Sequence, residues 1–221
     1  LSWLIDKFAP VPDWHDGLPA VVPHDNTIPT GIVWYTDNRL DENIMTACQQ
    51  HLNKIAIDKG IELISVSLKR VRKFGRNKVL RLERGHLTMF KQILAGLEKS
   101  TAENVFFCEH DILYHPSHFD FTPEKDDIYY YNENVWKLDA ETGQALFHYV
   151  KQTSGLCANR QLLIEHYRKR VEFVEKNGYT NRIGFEPGTH GRAERLDDHK
   201  ANGWMSEFPN IDIRHKDNLT P

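Results

Sequence analysis

Apolar residues along this chain recur in two rhythms, and the alternation between them predicts the elements. Residues 31–36 (G-I-V-W-Y-T) form a short apolar run halted by Asp37-Asn38, which reads as a buried strand followed by a turn. From Asp41 to Lys59 the rhythm becomes helical, with Ile44, Cys48, Leu52, Ile55 and Ala56 on one face, Asp41 as N-cap and Gly60 as the stop. Residues 61–68 (I-E-L-I-S-V-S-L) return to a strand. A strand, a helix and a strand on short links imply a parallel pair. A second amphipathic helix over 85–99 turns Leu87, Phe90, Ile93, Leu94 and Leu97 inward. The strand 104–108 (N-V-F-F-C) then runs straight into Glu109-His110-Asp111.

The second half is less regular. Residues 128–131 form another strand, and 135–138 with 145–150 flank a hairpin turn at Glu141-Thr142-Gly143. A long helix from Asn159 to Lys176 ends at Asn177-Gly178, and a short strand at 211–213 leads into Arg214 and His215. Residues 1–30, with five prolines and the aromatics Trp3 and Trp14, suit an irregular arm draped over the domain.

At 221 residues, the length suits one α/β domain, and 40% hydrophobic with 27% charged residues is ordinary for a globular one. A formal net charge of −3 excludes the global basic field of most duplex-DNA binders. A local basic field exists: Lys69, Arg70, Arg72, Lys73, Arg76, Lys78, Arg81 and Arg84 fall within 69–84, opposed only by Glu83. It reads either as a solvated loop or as a nucleic-acid contact. Cys48, Cys108 and Cys157 form no CxxC pair, which favours a reducing, cytoplasmic compartment. No apolar run approaches the ~20 residues that span a bilayer, and the start carries no signal pattern. His110, His115 and His118 lie close together, but Pro116 and the absence of paired cysteines weaken a zinc site.

The strongest chemical signal is V-F-F-C-E-H-D-I-L-Y at 105–114. Open α/β sheets place ligands at the carboxyl ends of their strands, where this run delivers two carboxylates. Residues two apart in extended chain point the same way, so Glu109 and Asp111 can face one site roughly 6–7 Å apart. Hard oxygen donors there suit magnesium or manganese, which in turn can bridge a diphosphate. The loop R-I-G-F-E-P-G-T-H-G-R at 182–192 has glycines that let a ligand approach its backbone, with Glu186 and His190 set within it.

In this order of elements, with an apolar strand ending in two acids, residues 31–215 resemble the GT-A glycosyltransferases. The family's motif is D-x-D; here it reads Glu109-x-Asp111, which keeps both carboxylates and lengthens the first. The resemblance implies a Rossmann-type mixed sheet flanked by helices in a single domain over 31–221. Residues 31–111 would be its nucleotide-binding half and 112–221 its acceptor half. It implies a nucleotide-diphosphate sugar as donor, a UDP-sugar first among them, and Mn2+ or Mg2+ as cofactor. Asp111 would hold the metal, Glu109 would reach the metal shell or the ribose, and His215 would be a late third ligand. Lys216 and Asn218, with Arg214, would touch phosphate oxygens. Thr36, Asp37 and Asn38 would meet the base and ribose, and Arg81 and Arg84 the phosphates. Ser154-Gly155 would line the sugar pocket, while Trp136 stacks on a sugar or packs in the core. Glu186 is the candidate acceptor base, with His190 its competitor as base or metal ligand.

Other readings remain open at this stage. Nucleotidyl transfer uses a similar acidic pair, but it favours a glycine-rich loop after the first strand, where this chain has T-D-N-R-L-D. A His-Asp phosphohydrolase would need His110-Asp111 on a helix. A non-catalytic binding module, or a transferase acting on modified nucleic acid such as hydroxymethylated phage DNA, would give the 69–84 stretch a role.

Overall fold

The computed structural model describes residues 30–189 and 196–215. Of the arm expected over 1–30, residues 1–29 lie outside the described residues, as do His190, Lys216 and Asn218, while Thr30 opens the first strand. Strand β1 (Thr30–Thr36), helix α1 (Glu42–Asp58) and strand β2 (Glu62–Ser67) stand where the periodicity predicts them. β1 and β2 are parallel, with Ile32 opposite Leu63. Asp41 caps α1, its Oδ1 accepting from the amides of Asn43 and Ile44 at 2.9 and 3.3 Å.

The stretch read as a basic loop contains a strand, β3 (Arg76–Val79), added in parallel to β2 at the sheet edge. R-N-K-V has no apolar period to announce it. A polar bridge fixes it instead: the Asn77 side-chain amide donates to Ser65 Oγ and Ser67 Oγ, each at 3.0 Å. Helix α2 (His86–Lys99) and strand β4 (Asn104–Cys108) follow, with β4 parallel to β1 on its other side. Gly96 lets α2 approach the sheet, since a Cβ there would stand 2.5 Å from Val33 Cγ1.

Beyond the acidic motif come β5 (Ile112–Leu113), β6 (Ile128–Asn132), β7 (Val135–Asp139), β8 (Ala145–Phe147) and β9 (Leu156–Asn159). Helix α3 (Arg160–Asn177), β10 (Lys200–Trp204) and β11 (Asn210–Arg214) complete the described elements. Two sheets result. The larger has seven strands in the order β10-β6-β9-β4-β1-β2-β3, with β9 antiparallel to both neighbours. The smaller has the order β5-β11-β7-β8. Gly155, expected in a sugar pocket, is required by packing: a Cβ there would lie 2.9 Å from the Asn132 carbonyl oxygen of β6.

Both faces of the large sheet are covered. Phe90, Ile93 and Leu97 of α2 join Leu163 and Tyr167 of α3 against Val33, Val105 and Tyr131. On the other face Leu52, Ile55 and Ala56 of α1 pack on Ile32, Trp34 and Phe106. This is the mixed, helix-flanked α/β sheet expected of the sequence. The chain steps outward from β1 to β2 and β3, then crosses back through α2 to β4 on the other side of β1, and such a switch opens a crevice at the strands' carboxyl ends.

Candidate active site

A cavity of about 410 Å³ occupies that crevice. Its walls come from elements far apart in sequence. The end of β1 contributes Tyr35, Thr36 and Asp37; the start of α2 gives Arg84, Gly85 and His86; the turn after β4 gives Glu109, His110 and Asp111. Gln152, Thr153 and Ser154 enter ahead of β9, Phe185 and Glu186 from the loop after α3, and Lys137, Asp212 and Arg214 from the small sheet. Parallel pairing of β7 and β11 sets Lys137 directly beside Asp212.

Five carboxylates and three histidine or lysine side chains thus share one space, and several of them act on one another electrostatically. Glu109 accepts from the Tyr35 hydroxyl at 2.5 Å, and its backbone amide donates to the Tyr114 hydroxyl at 2.9 Å. Burial, reinforced by the nearby Asp111 charge, pushes the Glu109 carboxyl up to about 8. Burial and then Asp111 likewise push Asp212 up to about 6, against the pull of Arg214 and Lys137. For Asp111, burial also acts upward, but the His215 contact and the His110 ring outweigh it, and its carboxyl sits below the usual range. Of Glu109, Asp111 and Asp212, Asp111 is the one whose charged form the site favours. His215 Nε2 stands 3.5 Å from Asp111 Oδ2, and His110, paired to Thr36 Oγ1 through Nδ1, presents Nε2 at 4.0 Å.

Among the described residues, no three His, Cys, Asp or Glu side chains are gathered closely enough to enclose an ion. The donor chemistry nevertheless fits one. A buried carboxylate and an imidazole 3.5 Å apart form an open, two-donor edge. Magnesium and manganese are commonly held that way, by one or two protein ligands with substrate phosphates completing the shell.

The residues singled out from sequence divide by position. Thr36, Asp37, Arg84, Glu109, Asp111 and Glu186 line the cavity, and His215 touches Asp111. Asp37 spends one carboxylate oxygen on Arg84 Nε at 2.5 Å. Neither Asn38 nor Arg81 is part of the lining. Asn38 instead accepts the amides of Leu68 and Lys69 on its Oδ1, at 2.9 and 2.7 Å, and Arg81 is exposed. Glu186 faces the cavity with Thr153 Oγ1 at 3.5 Å. Trp136 is 38% exposed and outside the cavity, so it is neither core nor pocket wall. Sequence reasoning passed over Asp212 and Lys137. The signal for Asp212 lay in N-I-D-I-R, whose period of two puts Asp212 and Arg214 on the face opposite Ile211 and Ile213.

No protein-family model matches the sequence, and no curated protein matches it. Among solved structures, the chain is similar to a glycosyltransferase involved in glycosylation of the major capsid of PBCV-1. That match has a TM-score of 0.52 at 9% identity, covering 87% of this chain and 94% of that one. Weaker matches include the bifunctional IspDF from Campylobacter jejuni, at TM-score 0.47 and 13% identity over 81% of this chain and 50% of that one. GalNAc-T7 solved with UDP, GalNAc and Mn2+ matches at TM-score 0.48 and 9% identity, over 87% and 45%. At such identities the likeness is one of fold.

Proposed function

We propose that this chain is a divalent-metal-dependent glycosyltransferase, moving a sugar from a nucleotide-diphosphate sugar, with a UDP-sugar as donor, to an acceptor hydroxyl. The observation that carries the reading is the gathering of Glu109, Asp111, Asp212 and Glu186 around one cavity at the strand ends, with His215 against Asp111. Carboxylates this close oppose one another's ionisation, and a cation relieves that opposition. The fold supports the reading, since a solved glycosyltransferase is built on it.

Asp111 and His215 would hold the ion. Bound there, Mn2+ or Mg2+ would neutralise the charge that builds on a departing diphosphate. Arg214 and Lys137, on adjacent strands of the small sheet, would meet phosphate oxygens beside it. Thr36 and the Asp37–Arg84 pair would border the nucleoside. Glu109, held by Tyr35, would reach the ribose. Glu186 approaches from the α3 side and would take the proton of the acceptor hydroxyl as it attacks.

A donor screen tests the reading, with Mn2+ present and nucleoside-diphosphate release by hydrolysis as the readout. The expected result is UDP release from at least one UDP-sugar, lost in EDTA and in Asp111→Ala. Turnover of nucleoside triphosphates with no release from any nucleotide sugar would falsify it and favour nucleotidyl transfer.

A further inference from the structure

The cations of the 69–84 stretch are not spread evenly over the surface. Two are neutralised: Arg76 pairs with Glu62 and Arg84 with Asp37. Others are drawn to one place by specific bonds. Asn38 adopts a left-handed backbone (φ 62°), and its side chain binds the chain at Leu68 and Lys69. That staple fixes the 37–39 turn against 68–70. The Arg84–Asp37 pair pins the approach to α2 onto the same turn. Arg39, Lys69, Arg70 and Arg81 thereby stand on three segments tied to one another, the Leu80 amide also donating to the Ser67 carbonyl at 2.9 Å. All four are exposed, and none is paired with a carboxylate among the described residues. The turn they surround carries Thr36 and Asp37 into the cavity wall.

We propose that this rim is a docking surface for a nucleic-acid strand. Four like charges held together repel one another, in a chain whose formal net charge is −3. A polyanion relieves that repulsion and is drawn to the spot. Three of the four are arginines, whose planar forks match phosphate oxygens. A lipid surface suits the rim less well. Membrane-surface binding pairs a basic face with an apolar helical face that inserts, whereas these cations sit on turns and beside an edge strand. The exposed apolar side chains nearby are Val79 and Leu82, not aromatics. A strand docked here would lie at the mouth of the cavity. On the transferase reading, and only on it, the favoured acceptor is then a hydroxyl carried by nucleic acid. Docking itself does not depend on what the cavity does.

The test is fluorescence anisotropy of a fluorescein-labelled 20-base-pair DNA duplex, titrated with the protein at several NaCl concentrations. Four phosphate contacts should give a log–log salt slope near −3.6, or roughly a 150-fold loss of affinity between 50 and 200 mM. Arg39→Glu, Lys69→Glu and Arg70→Glu combined should weaken binding at 50 mM NaCl by more than about tenfold and flatten the slope. The charge-neutral Gln triple variant should fall between. These side chains are exposed, so both variants should keep the wild-type unfolding midpoint. No duplex binding at 50 mM NaCl would overturn the proposal. So would wild-type affinity in the Glu variant, or binding to phosphatidylserine vesicles without binding to DNA. Because no turnover is read, any of these outcomes leaves the transferase reading standing.

Discussion

His166 shows how far a single buried residue can be specified by its partners. Arg170 donates to its Nε2 through Nε and Nη2, at 3.1 and 2.9 Å, so that nitrogen must hold a lone pair. Its Nδ1 therefore carries the proton and donates to Asp197 Oδ2 at 2.5 Å. Burial, with Arg170 adding and Asp197 opposing, pushes the ring down to about 4. An unfolded chain would protonate this histidine near pH 6.5. Its share of stability is therefore complete above that value and lost as pH falls toward 4, at about 1.4 kcal/mol per pH unit. Long-range proton–nitrogen NMR should find a neutral Nδ1–H ring at pH 5.5, titrating near 4. Titration near 6.5, or an Nε2–H tautomer, contradicts the assignment. None of this was legible in sequence, because His166 lies on a helix face and its partner Asp197 is thirty-one residues away. Glu109 and Asp111 were legible for the opposite reason: an apolar strand points straight at them.

At the scale of elements, α3 does more than cover the sheet. Arg170 is 1% exposed, lies over the rings of Phe90 and Tyr167, and donates through Nη1 to the Gly184 carbonyl at 2.5 Å. Tyr131 holds the same loop by donating to the Pro187 carbonyl at 2.7 Å. The loop that carries Glu186 is thus tied to α3 and β6 from below. Arg170→Met strips donors from His166 and Gly184 together, and at about 1–3 kcal/mol for each buried acceptor left unsatisfied should cost about 2–6 kcal/mol in urea unfolding. A loss below about 1 kcal/mol would mean the tie is not structural. α1, α2 and α3 were readable because 3.6-residue periodicity survives burial on one face. β3, β9 and β10 were not. R-N-K-V and K-A-N-G-W have no apolar alternation, and L-C-A-N is too short to separate from the loop before it.

At the scale of the molecule, the acids gather at one place. Five carboxylates collect inside the crevice, where the switch in strand order opens it, with Arg84, Lys137 and Arg214 among them, and exposed cations are left on the turn beside it. The sequence reached the fold class, the acidic end of β4 and the strands β7, β8 and β11, but not the assembly of those three with β5 into a second sheet. That sheet brings Lys137, Asp212 and Arg214 into the cavity through the parallel β7–β11 pair, whose strands begin seventy-five residues apart. The central claim is that the acids grip a diphosphate through a divalent cation. Calorimetric titration of UDP in Mn2+ and in EDTA tests it most directly. Binding should be at least about tenfold tighter with Mn2+, a coupling of about 1.4 kcal/mol, and Asp111→Ala should erase the difference. Equal UDP affinity in Mn2+ and EDTA, or a metal effect intact in Asp111→Ala, would contradict the claim.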